Sequence, residues 1–435
     1  MSFAFPRTVI QRLRGMAASP SLREIFLVAL RLGCTSFGGP VAHVGYFRKE
    51  YVERRRWLDD AHFADVVALC QFLPGPSSSQ TGFAIGHLRR GLLGGLAAWM
   101  GFTLPSAFLM IAFAYGVSAW GHLGGAGWLA GLKAAAVAVV AQAVWGMARS
   151  LCPDWPRRAL ALAAAAALLL VPATWSQIAV IALGGAVGWR WLRQEEAGVH
   201  SPVRQAQGPE PVEGLTLPPS LGELRRAGVA TKSEWRRGVG WLAAFFGLLL
   251  ALPLLAHATG TGWWLLADRF FRTGSLVFGG GHVVLPLLDR AVVAPGWVTH
   301  DAFLAGYGAA QALPGPLFTL SAFLGAVANI GPGGWVGGVW CLLALFAPGL
   351  LLVLGVLPFW RTLRRRAWAQ AALRGANAAV VGVLLAAFCN PVCTSGVTGM
   401  RSGGLALAAF VALQIWKLPP WAMVAAAAVL GQGLL

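Results

Sequence analysis

Two copies of one short motif carry most of the residues in this sequence that have chemistry to offer. Gln71-x-x-Pro74-Gly75-Pro76 in the first half returns as Gln311-x-x-Pro314-Gly315-Pro316 in the second. Both motifs interrupt apolar stretches. Proline has no N–H to satisfy and is at home where a helix begins, so each motif predicts a helix starting just after the break. The leading N–H groups of such a helix have no partner within it, and its dipole places positive potential at the same end. That is an anion site. After the first break come Ser77, Ser78, Ser79, Gln80 and Thr81, a run of short donors able to hold a tetrahedral oxyanion without a metal. After the second break Leu317 and Phe318 stand where two serines were, and Thr319 and Ser321 remain, so the site is expected to be asymmetric. The competing reading is a plain turn whose hydroxyls bond back to their own carbonyls.

Other residues recur in the same register. Arg31 and Arg272 lie inside apolar stretches, each six residues before a Phe-Gly-Gly break. A charged side chain at the centre of a bilayer costs roughly 2.5–3.5 kcal/mol on the insertion scale. A matched pair therefore suggests a shared role in attracting an anion, against the alternative of two interfacial anchors. Gly38-Gly39 and Gly279-Gly280 would let backbone approach a ligand closely, or serve tight packing. His43 and His282 are candidates for a proton relay, since imidazole titrates near neutrality. Gln71 and Gln311 are candidates to line a cavity, and Lys133, matched by Asn377, either lines the pathway or snorkels. Glu50, Glu53, Asp59, Asp60, Asp289 and Asp301 are the acidic candidates for proton coupling, with ion pairing to arginines as the simpler reading.

What must position these residues is a set of membrane helices. The chain has 435 residues, of which 57% are hydrophobic and 11% charged. Soluble domains are about 45–50% apolar and about 25% charged. The imbalance runs along the whole chain and excludes an ordinary soluble enzyme. Apolar stretches able to cross a bilayer run roughly 92–118, 127–149, 158–171, 174–192, 238–256, 335–358, 370–389, 402–416 and 419–435. Segments 22–47, 61–90, 264–288 and 301–330 are apolar but broken. Non-helical backbone at membrane depth is tolerated only inside protein or along a polar cavity, and repeated broken helices point to a transporter's midplane site. The basic N-terminus (Arg7, Arg12, Arg14) is not followed by a short apolar region with a cleavage site, so no cleaved signal is expected. Six cysteines lie in apolar segments without zinc spacing; Cys389 and Cys393 are the one close pair, with a disulfide as a minor option. No phosphate-binding loop, metal cluster or nucleophile–base pair is present, so no cofactor is expected and ATP is not the energy source.

The repeat sets the organisation: a first unit over 1–192, a polar linker over 193–237, a connecting helix over 238–261 and a second unit over 262–435. Within the linker, Ser201 to Gly214 reads like the translation of an inserted repetitive element. The 34 Lys and Arg against 16 Asp and Glu would suggest nucleic acid in a soluble protein. Here nucleic acid is set aside and the excess is read as topology. Arg48, Lys49, Arg54, Arg55, Arg56, Arg89 and Arg90 precede the span at 92, whereas Arg361, Arg364, Arg365 and Arg366 follow the equivalent span at 335–358. With basic loops inside, the two halves are inverted, the span at 238–256 supplies the odd crossing, and the broken segments enter and leave on one side as re-entrant hairpins. The expected fold class is thus an all-α polytopic membrane protein built of two inverted repeats with broken helices.

Phe-Gly-Gly-x-x-x-His (37–43), Phe-Gly-Gly-Gly-His (278–282) and the doubled Gln-x-x-Pro-Gly-Pro resemble the chromate ion transporter family in its long two-domain form, over roughly 20–190 and 262–435. The resemblance implies export of chromate from the bacterial cytoplasm through the inner membrane, chromate resistance, sulfate as the look-alike competitor, and antiparallel halves. The expected partners are chromate or sulfate and the membrane lipids, with a second copy of the chain left open. A sulfate or other oxyanion carrier, or a membrane-embedded enzyme or flippase for lipid phosphates, are the alternatives.

Overall fold

A chain this apolar has to bond its backbone internally, and in lipid the helix does so within one segment. A computed structural model describes residues 20–37, 39–119, 127–171, 176–192, 232–277, 284–360 and 366–434. Among them every regular element is helical. The linker from 193 to 231 lies outside the described residues, as do Gly38, Gly279, Gly280, His282, Arg361, Arg364 and Arg365.

The first half opens with α1 (Leu22–Thr35), capped by Ser21, and α2 (Gly39–Phe47), which continues as a π-helical turn over Arg48–Arg54. Next come α3 (Asp60–Phe72), capped by Asp59, and α4 (Ser77–Ala119), whose backbone leaves the helix at Arg90 and Gly91 so that it forms two arms. Then follow α5 (Gly127–Leu151), α6 (Trp155–Leu170) and α7 (Ser176–Trp191). The connecting helix α8 (Lys232–Thr259) starts several residues before the predicted span at 238. The second half repeats the order: α9 (Gly262–Leu276), α10 (Val284–Leu288) with a π-helical turn over Asp289–Val293, and α11 (His300–Ala312), capped by Thr299. A 3-10 turn over Leu317–Thr319 leads into α12 (Leu320–Val327), followed by α13 (Gly334–Val356), α14 (Ala367–Ala387), α15 (Met400–Gln414) and α16 (Pro420–Leu434). Among the described residues five helices are long and apolar enough to cross a membrane: Ser77–Val117, Ala130–Leu151, Glu234–Thr259, Gly334–Phe359 and Ala367–Asn390.

The broken segments are hairpins. In the first half their ends are tied together at one end of the bundle. Arg55 reaches Glu24 at 2.6 Å, Arg48 reaches Asp60 at 2.7 Å, and Arg90 donates to the Pro20 carbonyl at 2.7 Å. The segments 20–54 and 60–90 therefore each leave and return at the same end. The second half does likewise: Asn329 N donates to the Trp297 carbonyl at 2.9 Å, and Gly262 packs against Gly331. The second arm of α4 and its counterpart α13 lie antiparallel. Tyr115, near the end of α4, accepts from the Trp335 N–H at the start of α13 at 3.2 Å, while Leu354 to Trp360 at the other end of α13 share a cavity with His87 and Leu88.

The halves are interlocked. Helix α5 packs on α15 and α16 of the second half, and α14 packs on α6 and α7 of the first. Small residues make the approach close, as membrane helices require where lipid leaves no hydrophobic drive for association. A side chain at Gly131 would run into the Ala427 carbonyl, and one at the matching Gly375 into the Gly184 carbonyl. Lys133 adds an ion pair across the halves to Asp301 at 2.6 Å, so it is partnered rather than snorkelling. Cys389 and Cys393 are free thiols.

Candidate functional site

Each Pro-Gly-Pro break of one half is seated in the other. Gly75 has φ +123° and Gly315 φ +98°, a region that favours glycine. Gly75 donates its N–H to the Val277 carbonyl at 2.7 Å, and Gly315 donates to the Ser36 carbonyl at 2.9 Å. Val277 and Ser36 are the residues immediately before the two Phe-Gly-Gly motifs. The two bonds are thus reciprocal: the Pro-Gly-Pro of each half is bound to the other half's Phe-Gly-Gly entry. The packing is matched too. Gly75 lies against Gly349, one residue past Pro348 in α13, and Gly315 lies against Ser106, one residue past Pro105 in α4.

The first crossing is polar. Helix α4 begins at Ser77, with Gln80 N donating to the Pro76 carbonyl at 2.9 Å. Ser78, Ser79, Gln80 and Thr81 are all buried. The leading N–H groups have no carbonyl four residues back to receive them. Thr81 bonds back to the Ser77 carbonyl at 2.7 Å, but the Ser79 hydroxyl has no partner. Gln80 donates to the carbonyls of Pro74 (2.9 Å) and Gly349 (3.1 Å), leaving its own Oε1 unpartnered.

At the second break the predicted donors are turned inward on themselves. The Thr319 hydroxyl donates to the Pro316 carbonyl at 2.9 Å and the Ser321 hydroxyl to the Phe318 carbonyl at 2.8 Å. Here the plain-turn reading holds for the hydroxyls. The polar groups against Gly315 come instead from the first half: the Ser36 carbonyl accepts its N–H and the Ser106 hydroxyl lies beside it, while His43 packs on the neighbouring Phe102 and Thr103 follows Phe102 in the chain; all four residues are no more than 1% exposed. His43 packs edge-on to Phe102 with ring centroids 5.3 Å apart, next to the Ser36 backbone. The Ser36 and Thr103 hydroxyls lack hydrogen-bond partners. Ser36, Thr103 and Ser106 are not among the residues that the sequence singles out. The available signal was a Thr and a Ser flanking Pro105 in an otherwise apolar span.

Other candidates fall elsewhere. Arg31 is exposed on α1, and Arg272 is bonded to Asp268 one turn earlier at 2.5 Å. Gln71 is exposed, whereas Gln311 is engaged by Tyr307 on its own helix. The basic residues 48–55 are largely neutralised: Arg48 binds Glu53 at 2.6 Å, and Arg54 and Arg55 bind Glu50 at 2.9 and 2.8 Å. Burial raises the Glu50 carboxyl, but the Arg55 hydrogen bond and the charges of Arg54, Arg55 and Arg31 prevail and hold it below the usual carboxylate range. Near this end a cavity of about 470 Å³ is lined by His62, Asp65, His87, Glu234, Arg237 and Trp360, among others. Trp360 packs on Phe72 with centroids 5.4 Å apart, two residues before Pro74. Among the described residues no group of His, Cys, Asp and Glu could hold a metal.

The chromate transporter family model matches residues 23–189 and again 264–432. A probable chromate transport protein of Synechococcus elongatus is 26% identical over 375 residues, 84% of each chain. A chromate transport protein of Pseudomonas aeruginosa is 27% identical over 84% of this chain and 79% of its own, and one of Cupriavidus metallidurans 25% identical over 85% and 82%. No solved structure matches the chain. With both halves covered by the family model, and with relatives that are transport proteins rather than enzymes, the chain belongs to the chromate transporter family.

Proposed function

We propose that this protein carries chromate out of a bacterial cytoplasm through the inner membrane by ion-coupled alternating access, with its halves inverted across the bilayer. The observation that carries this reading is the reciprocal crossing of the broken segments, where the buried Ser79 hydroxyl and Gln80 Oε1 stand without partners at the start of a helix. Ser77, Ser78 and Ser79, with the N–H groups after Pro74-Gly75-Pro76, hold the oxyanion. Chromate is a tetrahedral dianion, and N–H groups and hydroxyls are the donors it needs. Thr319 and Ser321 after Pro314-Gly315-Pro316 complete the second break, and the Phe-Gly-Gly pairs bring backbone close. Arg31 and Arg272 supply positive potential on the approach. His43 and His282 relay protons. The cavity beside Trp360 is the cytoplasmic entrance, with Phe72 and Trp360 between it and the first break. The antiparallel course of α4 and α13, together with basic residues at 48–56, supports the inverted arrangement.

Everted membrane vesicles from cells expressing the protein test this reading. Labelled chromate is expected to accumulate inside them when an ion gradient is imposed, and the same cells should tolerate more chromate than controls. Absence of accumulation under every gradient would remove the exporter, and sensitised cells would indicate an importer.

A further inference from the structure

Gln80 is held in an unusual way. It is fully buried in the first turn of α4, and its amide nitrogen spends its hydrogens on two carbonyls, those of Pro74 and Gly349. Turning the amide over would set oxygen against oxygen. Oε1 is therefore fixed as an acceptor, and no donor meets it. A buried acceptor left unpaired costs about 1–3 kcal/mol. Ser79, 1% exposed, adds an unpartnered hydroxyl one residue before. The side chain of Gln80 folds over the break itself: a Cβ on Gly75 would lie 2.9 Å from Gln80 Nε2. The second break lacks this pair. Thr319 is bonded to the Pro316 carbonyl and Leu320 has no polar atom to offer.

Building on the oxyanion reading above, we infer that the first break selects a tetrahedral oxyanion bearing one proton over one that bears none. The helix N–H groups and Ser79 donate to bare oxygens. Gln80 Oε1 can only accept, so the oxygen facing it must bring a hydrogen. A bare oxygen there would oppose two lone pairs in a dry site, where nothing screens the repulsion. A site built to bond a substrate hydroxyl discriminates strongly against an analogue without it, because its own buried group is then left unpaired. Hydrogen chromate persists into the neutral range, whereas hydrogen sulfate is a strong acid. The same feature would thus separate two dianions of like shape, and the proton would travel with the anion.

The test is chromate exchange in proteoliposomes holding the purified full chain, with equal pH on both sides. Sulfate and perchlorate serve as competitors; perchlorate is a tetrahedral monoanion without a proton, which separates net charge from hydrogen bonding. Exchange at subsaturating chromate is expected to fall about tenfold per pH unit once hydrogen chromate has ionised. Both competitors should act at least about tenfold more weakly than unlabelled chromate, a gap of about 1.4 kcal/mol. Gln80→Met, which keeps the length without the acceptor, should let perchlorate compete. Exchange that holds level or rises with pH, or perchlorate competing as well as chromate in the wild-type protein, would overturn the selection and leave a chromate carrier standing. No exchange at any pH would remove the oxyanion reading and this one together.

Discussion

The two crossings share a backbone and differ in chemistry. At both, a glycine at positive φ donates its N–H to the residue before the other half's Phe-Gly-Gly motif and packs beside a helix just past an internal proline. The polar groups, however, come from the first half on both sides. Ser79 and Gln80 stand at the first crossing, beside Gly75, which is bonded to Val277 and packs on Gly349; Ser36 and Ser106 meet Gly315 at the second, with the buried His43 on the adjoining Phe102. The second half's own hydroxyls there, on Thr319 and Ser321, are bonded to their own backbone. Duplication supplied the scaffold twice, and at these two crossings the unpartnered buried polar side chains belong to the first copy. Scaffold changes should thus act alike at both crossings, and chemical changes should not.

The largest effect is expected from the scaffold. Gly75→Ala and Gly315→Ala each force a side chain into a positive-φ backbone, at about 1–3 kcal/mol of strain. Gly75 would also press on Gln80 and Gly349 at 2.9 and 3.1 Å. Both variants should lower the unfolding temperature in detergent by similar amounts and abolish exchange. A large loss in only one would break the equivalence of the crossings. Next come the donors. Ser79→Ala should reduce chromate exchange about tenfold, the scale of a lost hydrogen bond to a charged group, whereas Thr319→Ala should change it by less than about twofold because that hydroxyl serves only its own turn. Equal losses would contradict the asymmetry.

The arginines come third. Arg31→Ala should slow exchange a few-fold, more at low salt, because an exposed charge acts at long range and salt screens it. Arg272→Ala should do less, since Asp268 already offsets that charge. Unchanged rates in both would reduce the pair to interfacial anchors. The smallest effect is a matter of pH. The Glu50 carboxyl is depressed in the folded protein, so its contribution to stability is full above the ordinary carboxylate pKa and is lost as pH falls through the depressed value. The gap in unfolding temperature between the wild-type protein and Glu50→Gln should therefore be widest near neutral pH and close on acidification. A gap that widened on acidification would reverse the assignment.

Much of this was legible in the residues. The helical class follows from an apolar excess that only internally bonded backbone can carry through lipid. The breaks are legible because proline and glycine act locally, whatever the rest of the chain does. The acidic residues near the basic clusters were readable as ion-pair partners, and Glu50, Glu53 and Asp60 are that. The roles of Arg31 and Arg272 were less so. Their matched positions pointed to one shared duty, yet one is exposed and the other is paired within its helix. Position 268 holds Asp where its counterpart at 27 holds Leu, and that single difference separates them.

By itself the sequence determined that this is a membrane-embedded, duplicated helical protein, where each half breaks, and which family its motifs resemble. All of these rest on local chemistry or on self-similarity along the chain. The tertiary structure alone decided that each break is received by the other half and that Ser36 and Ser106 meet Gly315, far away in sequence. It alone decided that the Thr319 and Ser321 hydroxyls are spent on their own turn while the Ser79 hydroxyl is not. The physical reason is that a hydroxyl's partner is chosen by what packs within about 3 Å of it. In an interlocked pair of repeats, that neighbour is set by long-range packing between the halves.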